Sequence, residues 1–227
     1  MITLHHCHQT RSMRVLWLLN ELGVDFSLRV HPFDRSLRSD EFLTRSPAGR
    51  VPALEIDGEI LWESGAIVEW LCERFPEAGL GRVPGEIDRP DYLVWLHFAE
   101  TISQHAAALT QQHIMLFDDD MRSPVITKIE AARIAKCYAA IEGRLSTPVE
   151  NRDYLLTSGF SAADICCGQA VYMARHFTAL DGFPALAEWY QRITERPAFR
   201  AALPPEGAEL LYEREFYPVL TKQTEDA

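Results

Sequence analysis

The chain has no CxxC pair, no metal-knuckle spacing among its cysteines, no glycine-rich phosphate fingerprint and no excess of basic charge. Each absence removes a class of function. Without GxxxxGK[ST] or a Rossmann GxGxxG, ATP and nicotinamide nucleotides have no support. A formal charge of -11, with acid exceeding base on both sides of residue 80, repels phosphate backbones and argues against nucleic-acid or anionic-membrane partners. Apolar runs are interrupted well before 18 residues, so no membrane span is expected, and the N-terminus lacks the basic start and apolar run of a secretory signal. Five cysteines, Cys7, Cys72, Cys137, Cys166 and Cys167, are an odd number that suits reduced thiols and a cytoplasmic location. With 47% hydrophobic and 24% charged residues among 227, the composition is that of a globular protein with a substantial core.

Hydrophobic spacing divides the chain. Residues 2–6 read as a strand, and Met13 to Leu22 places Val15, Leu16, Leu19 and Leu22 at helical intervals before the stop at Gly23. Phe26 to Val30 reads as a second strand, a short polar helix follows, and VPALEI-DG-EILW reads as a hairpin turned at Asp57-Gly58. A helix through Ile67, Trp70, Leu71 and Phe75 ends at Pro76. This β-α-β-α-β-β-α order over residues 1–80 suits a small layered α/β domain. EAGLGRVPGEIDRP has the composition of a connector, set at 81–90, and from 91 to 220 helical stripes replace strand signals. Ser161 and Asp164 have capping-box spacing before a helix reaching about His176; another helix is expected from Pro184 to Arg196, and a mobile tail from Thr221.

Three loops carry candidate chemistry. In CHQTRSMR, the hydroxyl of Thr10 or Ser12 can donate to an anion at a helix start, where unpaired N–H groups and the dipole assist; Ser12 is also placed to cap a helix beginning at Met13. In GRVPAL, Val51 before Pro52 is biased to an extended backbone, and Arg50 is either a carboxylate clamp or a solvated surface residue. Glu63 can receive an ammonium group, while Ser64 can cap the next helix or meet a carboxylate. His5, His6, Cys7 and His8 resemble metal ligands in type, but alternate strand residues face opposite ways. His97, His105 and His113 recur every eighth residue, about 12 Å apart along a helix and too far for one metal. Trp62, Trp70 and Trp95 read as packing area.

TLHHCHQTRSMRVLWLLNELGVDFSL, SPAGRVPALEIDGEILWESGAIVEWL, GFSAADICCGQAVY and FPALAEWYQRITERPAFRAAL, taken in order, resemble the cytosolic glutathione transferase family, and most closely its bacterial serine/threonine-type members. The resemblance implies a thioredoxin-like N-terminal domain with an all-helical C-terminal domain, a homodimer, and detoxifying transfer of alkyl or aryl groups. Glutathione is then the co-substrate, with no metal or nucleotide. Pro52 would be cis, with Val51 holding the cysteinyl backbone, Glu63 and Ser64 the γ-glutamyl end and Arg50 near the glycyl carboxylate. The thiolate-stabilising hydroxyl four positions before Arg14 is Thr10, with Ser12 and Cys7 as alternatives. A small electrophile would bind among His97, His105, Met115, Phe117, Tyr212 and Phe216. Two other classes remain open: a non-catalytic glutathione-binding or protein-interaction module, and a Cys7-dependent thiol reductase.

Overall fold

The computed structural model describes residues 1–147 and 153–221. Its first half is a four-stranded sheet of order β2-β1-β3-β4, from β1 (Ile2–His6), β2 (Phe26–Val30), β3 (Ala53–Ile56) and β4 (Glu59–Trp62). β1 runs parallel to β2, a pairing that requires a crossover, here α1 (Ser12–Leu22). β3 is antiparallel to both neighbours, with Ala53 opposite His5 and Trp62. The β3–β4 hairpin turns at Asp57 and Gly58, whose φ values of 50° and 91° are both positive, as a tight two-residue turn demands. The short α2 (Asp40–Leu43) and α3 (Ser64–Arg74) complete this half in the expected element order.

The second half is helical: α4 (Arg89–Thr110), α5 (Pro124–Leu145), α6 (Ala162–Ala174), α7 (Pro184–Thr194) and α8 (Pro197–Ala201). The mixed β–α layer followed by helices is the expected thioredoxin-like plus all-helical architecture. No helix among the described residues is long and apolar enough to cross a membrane. Every residue of α6 is buried, and its start is fixed by the Ser161–Asp164 capping box. Asp164 accepts from the N–H groups of Ser161 and Leu155 and from the Trp189 indole, each at 2.9 Å. Pro197 opens α8 instead of merely ending α7, the first-turn position proline prefers.

Burial and helix length correct three sequence expectations. α1 is not one-sided: Trp17, Leu18 and Arg14 are as buried as Val15 and Leu19, because the helical half covers the face turned away from the sheet. The Trp17 ring packs edge-on to Phe199 at 4.9 Å, and α6 approaches so closely that a Cβ on Gly168 would lie 3.1 Å from Trp17 and 2.5 Å from Ile193. Among the three tryptophans, Trp95 is in the core and Trp70 half-buried, whereas Trp62 is 43% exposed. The helix expected to carry His97, His105 and His113 stops at Thr110; one π-helical turn, Gln111–Met115, holds His113, and Phe117 lies beyond it. Of the expected mobile tail, residues 222–227 lie outside the described residues.

Candidate active site

The sheet register brings three loops to one end. Because Ala53 faces both His5 and Trp62, residues just before β3, just after β1 and just after β4 are neighbours. They are Val51–Pro52, joined by a cis peptide, Cys7–Arg11, and Glu63–Ser64. Two of these turns hold non-glycine residues at positive φ, Gln9 at 55° and Glu63 at 74°. Such backbone is costly and persists where surrounding structure imposes it. Arg50 is exposed beside the cis bond.

Hydroxyls in the first loop are turned inward. Thr10 Oγ1 donates to the Cys7 carbonyl at 2.8 Å and lies 2.8 Å from Ser12 Oγ. Ser12 Oγ also accepts from the Cys7 N–H at 3.1 Å and sits 2.7 Å from His6 Nδ1. Ser12 therefore ties the loop to β1, and α1 starts at Ser12 without a side-chain cap, contrary to the capping expectation. The N–H groups of Gln9, Thr10 and Arg11 have no partner among the described residues. They belong to the loop before α1, whose own first amides are taken: the Ser12 N–H by Thr10 Oγ1, the Met13 N–H by the Thr10 carbonyl and the Arg14 N–H by the Arg11 carbonyl. Burial, reinforced by the charges of Glu209 and Asp34, pushes the Cys7 thiol up to about 11. Burial, with His8 beside it, depresses His6 to about 3.

Arg14 connects this end of the sheet to the helical half. Fully buried, it donates to Ser64 Oγ (3.2 Å), Gln169 Oε1 (3.0 Å) and Ser103 Oγ (3.0 Å) and pairs with Glu100. Ser64 Oγ thus accepts from Arg14 and does not cap α3. Arg11 reaches the other oxygen of Glu100 at 3.0 Å, and Gln169 donates to the Thr10 carbonyl at 3.2 Å. Burial raises the Glu100 carboxyl, but the two guanidinium groups prevail and hold it below the ordinary carboxylate value.

Beside the loop opens a cavity of about 430 Å³. Its walls come from Cys7 and His8, from Val30 at the end of β2 and residues 31–33 after it, from Ile114, Met115 and Phe117, and from the C-terminal segment at 208–211 and 213. Of the residues expected around an electrophile, Met115 and Phe117 line it. Tyr212 is buried behind the wall, 2.8 Å from Thr110 Oγ1 and stacked on His176 at 4.5 Å. His97 is exposed outside the cavity, as is Phe216; His105 is bonded to Glu130 at 2.6 Å between α4 and α5.

Residues 4–79 match the family described as glutathione S-transferase, N-terminal domain, and residues 115–197 match glutathione S-transferase, C-terminal domain. Glutathione S-transferase 4 of Zea mays is 30% identical over 212 residues, covering 89% of this chain and 92% of that protein. The chain belongs to the glutathione S-transferase family. Glutathione S-transferase 3 of Schizosaccharomyces pombe is 25% identical over 212 residues, covering 89% of this chain and 86% of that one. A sphingomonad glutathione S-transferase solved in complex with glutathione superposes with a TM-score of 0.71 at 28% identity, covering 88% of this chain and 96% of that chain.

This transferase-family chain also holds a cluster that single-residue reading overlooked. His5 Nδ1 is 2.9 Å from His31 Nε2, and His5 Nε2 is 3.0 Å from Glu55 Oε1, which accepts from Arg45 at 2.7 Å. Strand alternation separates His5 from His6, a signal present in the sequence. The partner His31 follows from the parallel β1–β2 register, which is not. No group of three or more His, Cys, Asp or Glu among the described residues is placed to hold a metal ion.

Proposed function

We propose that the chain activates the glutathione thiol for attack on a small electrophile. Residues 1–80 bind glutathione, 81–90 connect, and 91–220 complete the electrophile site. One observation carries the reading: the strand register puts the Val51–Pro52 segment, the Glu63–Ser64 turn and the loop with the unpartnered amides of residues 9–11 at one end of the sheet, and Cys7 and His8 of that loop line the 430 Å³ cavity. In this reading Val51 pairs with the cysteinyl backbone, Glu63 and Ser64 take the γ-glutamyl end, and Arg50 meets the glycyl carboxylate. Lowering a thiol pKa by two units requires about 2.7 kcal/mol. The unpartnered amides of residues 9–11, in the loop before α1, supply part of it. Thr10 supplies the rest by turning its hydroxyl from the Cys7 carbonyl to sulfur, an exchange of one hydrogen bond worth about 1 kcal/mol.

The reductase alternative has less support, since a thiol that is 4% exposed and pushed up to about 11 is a poor nucleophile. A homodimer is proposed with it, its contact including the exposed Ile60 and Trp62 of β4; sedimentation equilibrium should return twice the chain mass.

Calorimetry with glutathione, followed by thiolate absorbance against pH, tests the reading. Thr10→Ala should keep most of the affinity and raise the bound thiol's pKa by about one unit, the loss of one charge-assisted hydrogen bond. Thr10→Ser should retain wild-type ionisation, because it keeps the O–H without the methyl group. No saturable binding up to about 10 mM, beyond ordinary substrate constants, rejects the function. A thiol pKa that follows Ser12→Ala or Cys7→Ser but not Thr10→Ala rejects the assigned donor.

A further inference from the structure

Glu55, His5 and His31 form a hydrogen-bonded line ending at the cavity, and its proton positions follow from one constraint. An ionised carboxylate only accepts. Glu55 Oε1 therefore receives the His5 Nε2–H, which leaves His5 Nδ1 as an acceptor; that nitrogen receives the His31 Nε2–H. His31 Nδ1 keeps its lone pair, with no partner among the described residues, on an imidazole that lines the cavity. If Nδ1 gains a proton, the positive charge is answered through His5 by the Glu55 carboxylate. The other cavity imidazole lacks this backing: His8 Nδ1 is 3.3 Å from His6 Nε2, and behind His6 stands the Ser12 hydroxyl, not a carboxylate.

The cavity's own charge narrows the chemistry. Its lining among the described residues contains Glu209 and Glu213 and neither arginine nor lysine. An anion released there meets two carboxylates and no fixed cation. A leaving group that departs as a neutral alcohol avoids this repulsion, and it needs a proton donor at the moment the bond breaks.

We propose that His31 is the proton-transferring catalytic residue of the cavity, positioned by His5 and Glu55, and that it acts on electrophiles that open at a carbon–oxygen bond, for which an epoxide serves as the probe. This rests on the glutathione reading above. The thiol proton moves to His31 Nδ1, leaving a thiolate. Its sulfur lone pair forms the C–S bond as the C–O electron pair withdraws onto oxygen. His31 then gives its proton to that oxygen, yielding a hydroxy thioether and restoring the neutral imidazole. No oxidant, reductant or further reactant is consumed.

Burial, followed by the charge of His5 and then by the positive charges of Arg45 and Arg29, lowers the pKa of His31, while Glu41 opposes the shift. The neutral, proton-accepting form is accordingly the resting one. Phe42 packs edge-on to both imidazoles, at 5.9 Å from His5 and 5.1 Å from His31, and holds the stacked pair in place.

The test compares an epoxide with a chloronitroarene, whose chloride leaves without a proton. His31→Gln keeps an N–H toward His5 but cannot titrate. It should lose about 100-fold or more in kcat/KM on the epoxide, the scale of general acid–base catalysis, and at least tenfold more than on the chloronitroarene. Equal losses on both substrates, or none, overturn the proposal; so does a larger epoxide loss in His8→Gln. Glu55→Gln should move the acidic limb of the epoxide profile to lower pH, which a merely structural role would not do. Nitrogen-15 shifts of the imidazoles in unliganded protein should show the Nε2–H tautomer at both His5 and His31. The opposite tautomer at His31 overturns the relay whatever the protein binds. Absence of glutathione binding with the expected tautomers rejects the parent reading, and the catalytic role with it, while leaving the relay's geometry standing.

Discussion

Asp164 and Arg14 are both fully buried ionisable side chains, yet one belongs to a single half of the molecule and the other to both. The partners of Asp164 are the starts of α6 and the preceding loop, and the Trp189 indole of α7. All are within 25 residues in sequence. Arg14 is answered from α3, α4 and α6, at separations of 50 to 155 residues. The first arrangement stabilises a helix bundle. The second makes the geometry of Ser64 and the Thr10 loop depend on whether the two halves are docked. A buried charge satisfied locally is thus a folding element here, and one satisfied across halves is coupled to the candidate site.

The sharpest way to break this contrast is Asp164→Ala. It strips the acceptor from four buried donors, the N–H groups of Leu155 and Ser161, the Ser161 hydroxyl and the Trp189 indole, and should cost about 3–5 kcal/mol, the range for removing one partner of a buried charged network. Urea unfolding followed by circular dichroism measures it, and Asp164→Asn should recover at least half. Glutathione affinity of the folded fraction should be unchanged.

Arg14→Met should cost less, about 1–3 kcal/mol, as charged hydrogen bonds are lost but Glu100 remains partly solvated. Here affinity should also fall, by about fivefold or more for roughly 1 kcal/mol of lost positioning. Full affinity in Arg14→Met would erase the distinction between the two nodes.

The remaining effect concerns acid and appears only as pH falls. His6 has a folded value of about 3 against 6.5 ordinarily, so the unfolded chain binds more protons between those limits. Its contribution to stability is complete above pH 6.5 and is lost as pH falls toward 3. Each such group adds a slope of about 1.4 kcal/mol per pH unit. His6→Gln should therefore flatten the decline of unfolding free energy between pH 6 and 4, and an unchanged slope would show that His6 does not carry it.

What could be read in advance was local. Asp57-Gly58 announces its hairpin because both turn angles are set within two residues, and Ser161 with Asp164 announces a helix start because the box closes over three. Arg14 gave no such signal: its partners lie at 64, 100, 103 and 169, and a helical wheel cannot reveal that a second layer covers its far face. Ser12 was misplaced as a cap for the same reason, since the bond to His6 depends on how the loop folds back on β1. The cavity eluded expectation in part because one wall, 208–213, is nearly the whole chain away from Cys7. Met115 and Phe117 follow from the family resemblance and line the cavity although α4 ends before them; His31 has no such signal, because strand register decides its neighbour.

The Tyr212 N–H donates to Gln9 Oε1 at 2.8 Å, joining residues 203 apart. During synthesis, the left-handed turn at Gln9 leaves the ribosome long before the amide that holds its side chain exists. At ordinary translation rates of about 5–20 residues per second, that interval is about 10–40 s. The loop at the start of α1 is thus among the first segments made and among the last to be finished, and a nascent chain carries an incomplete candidate site until its final stretch is released.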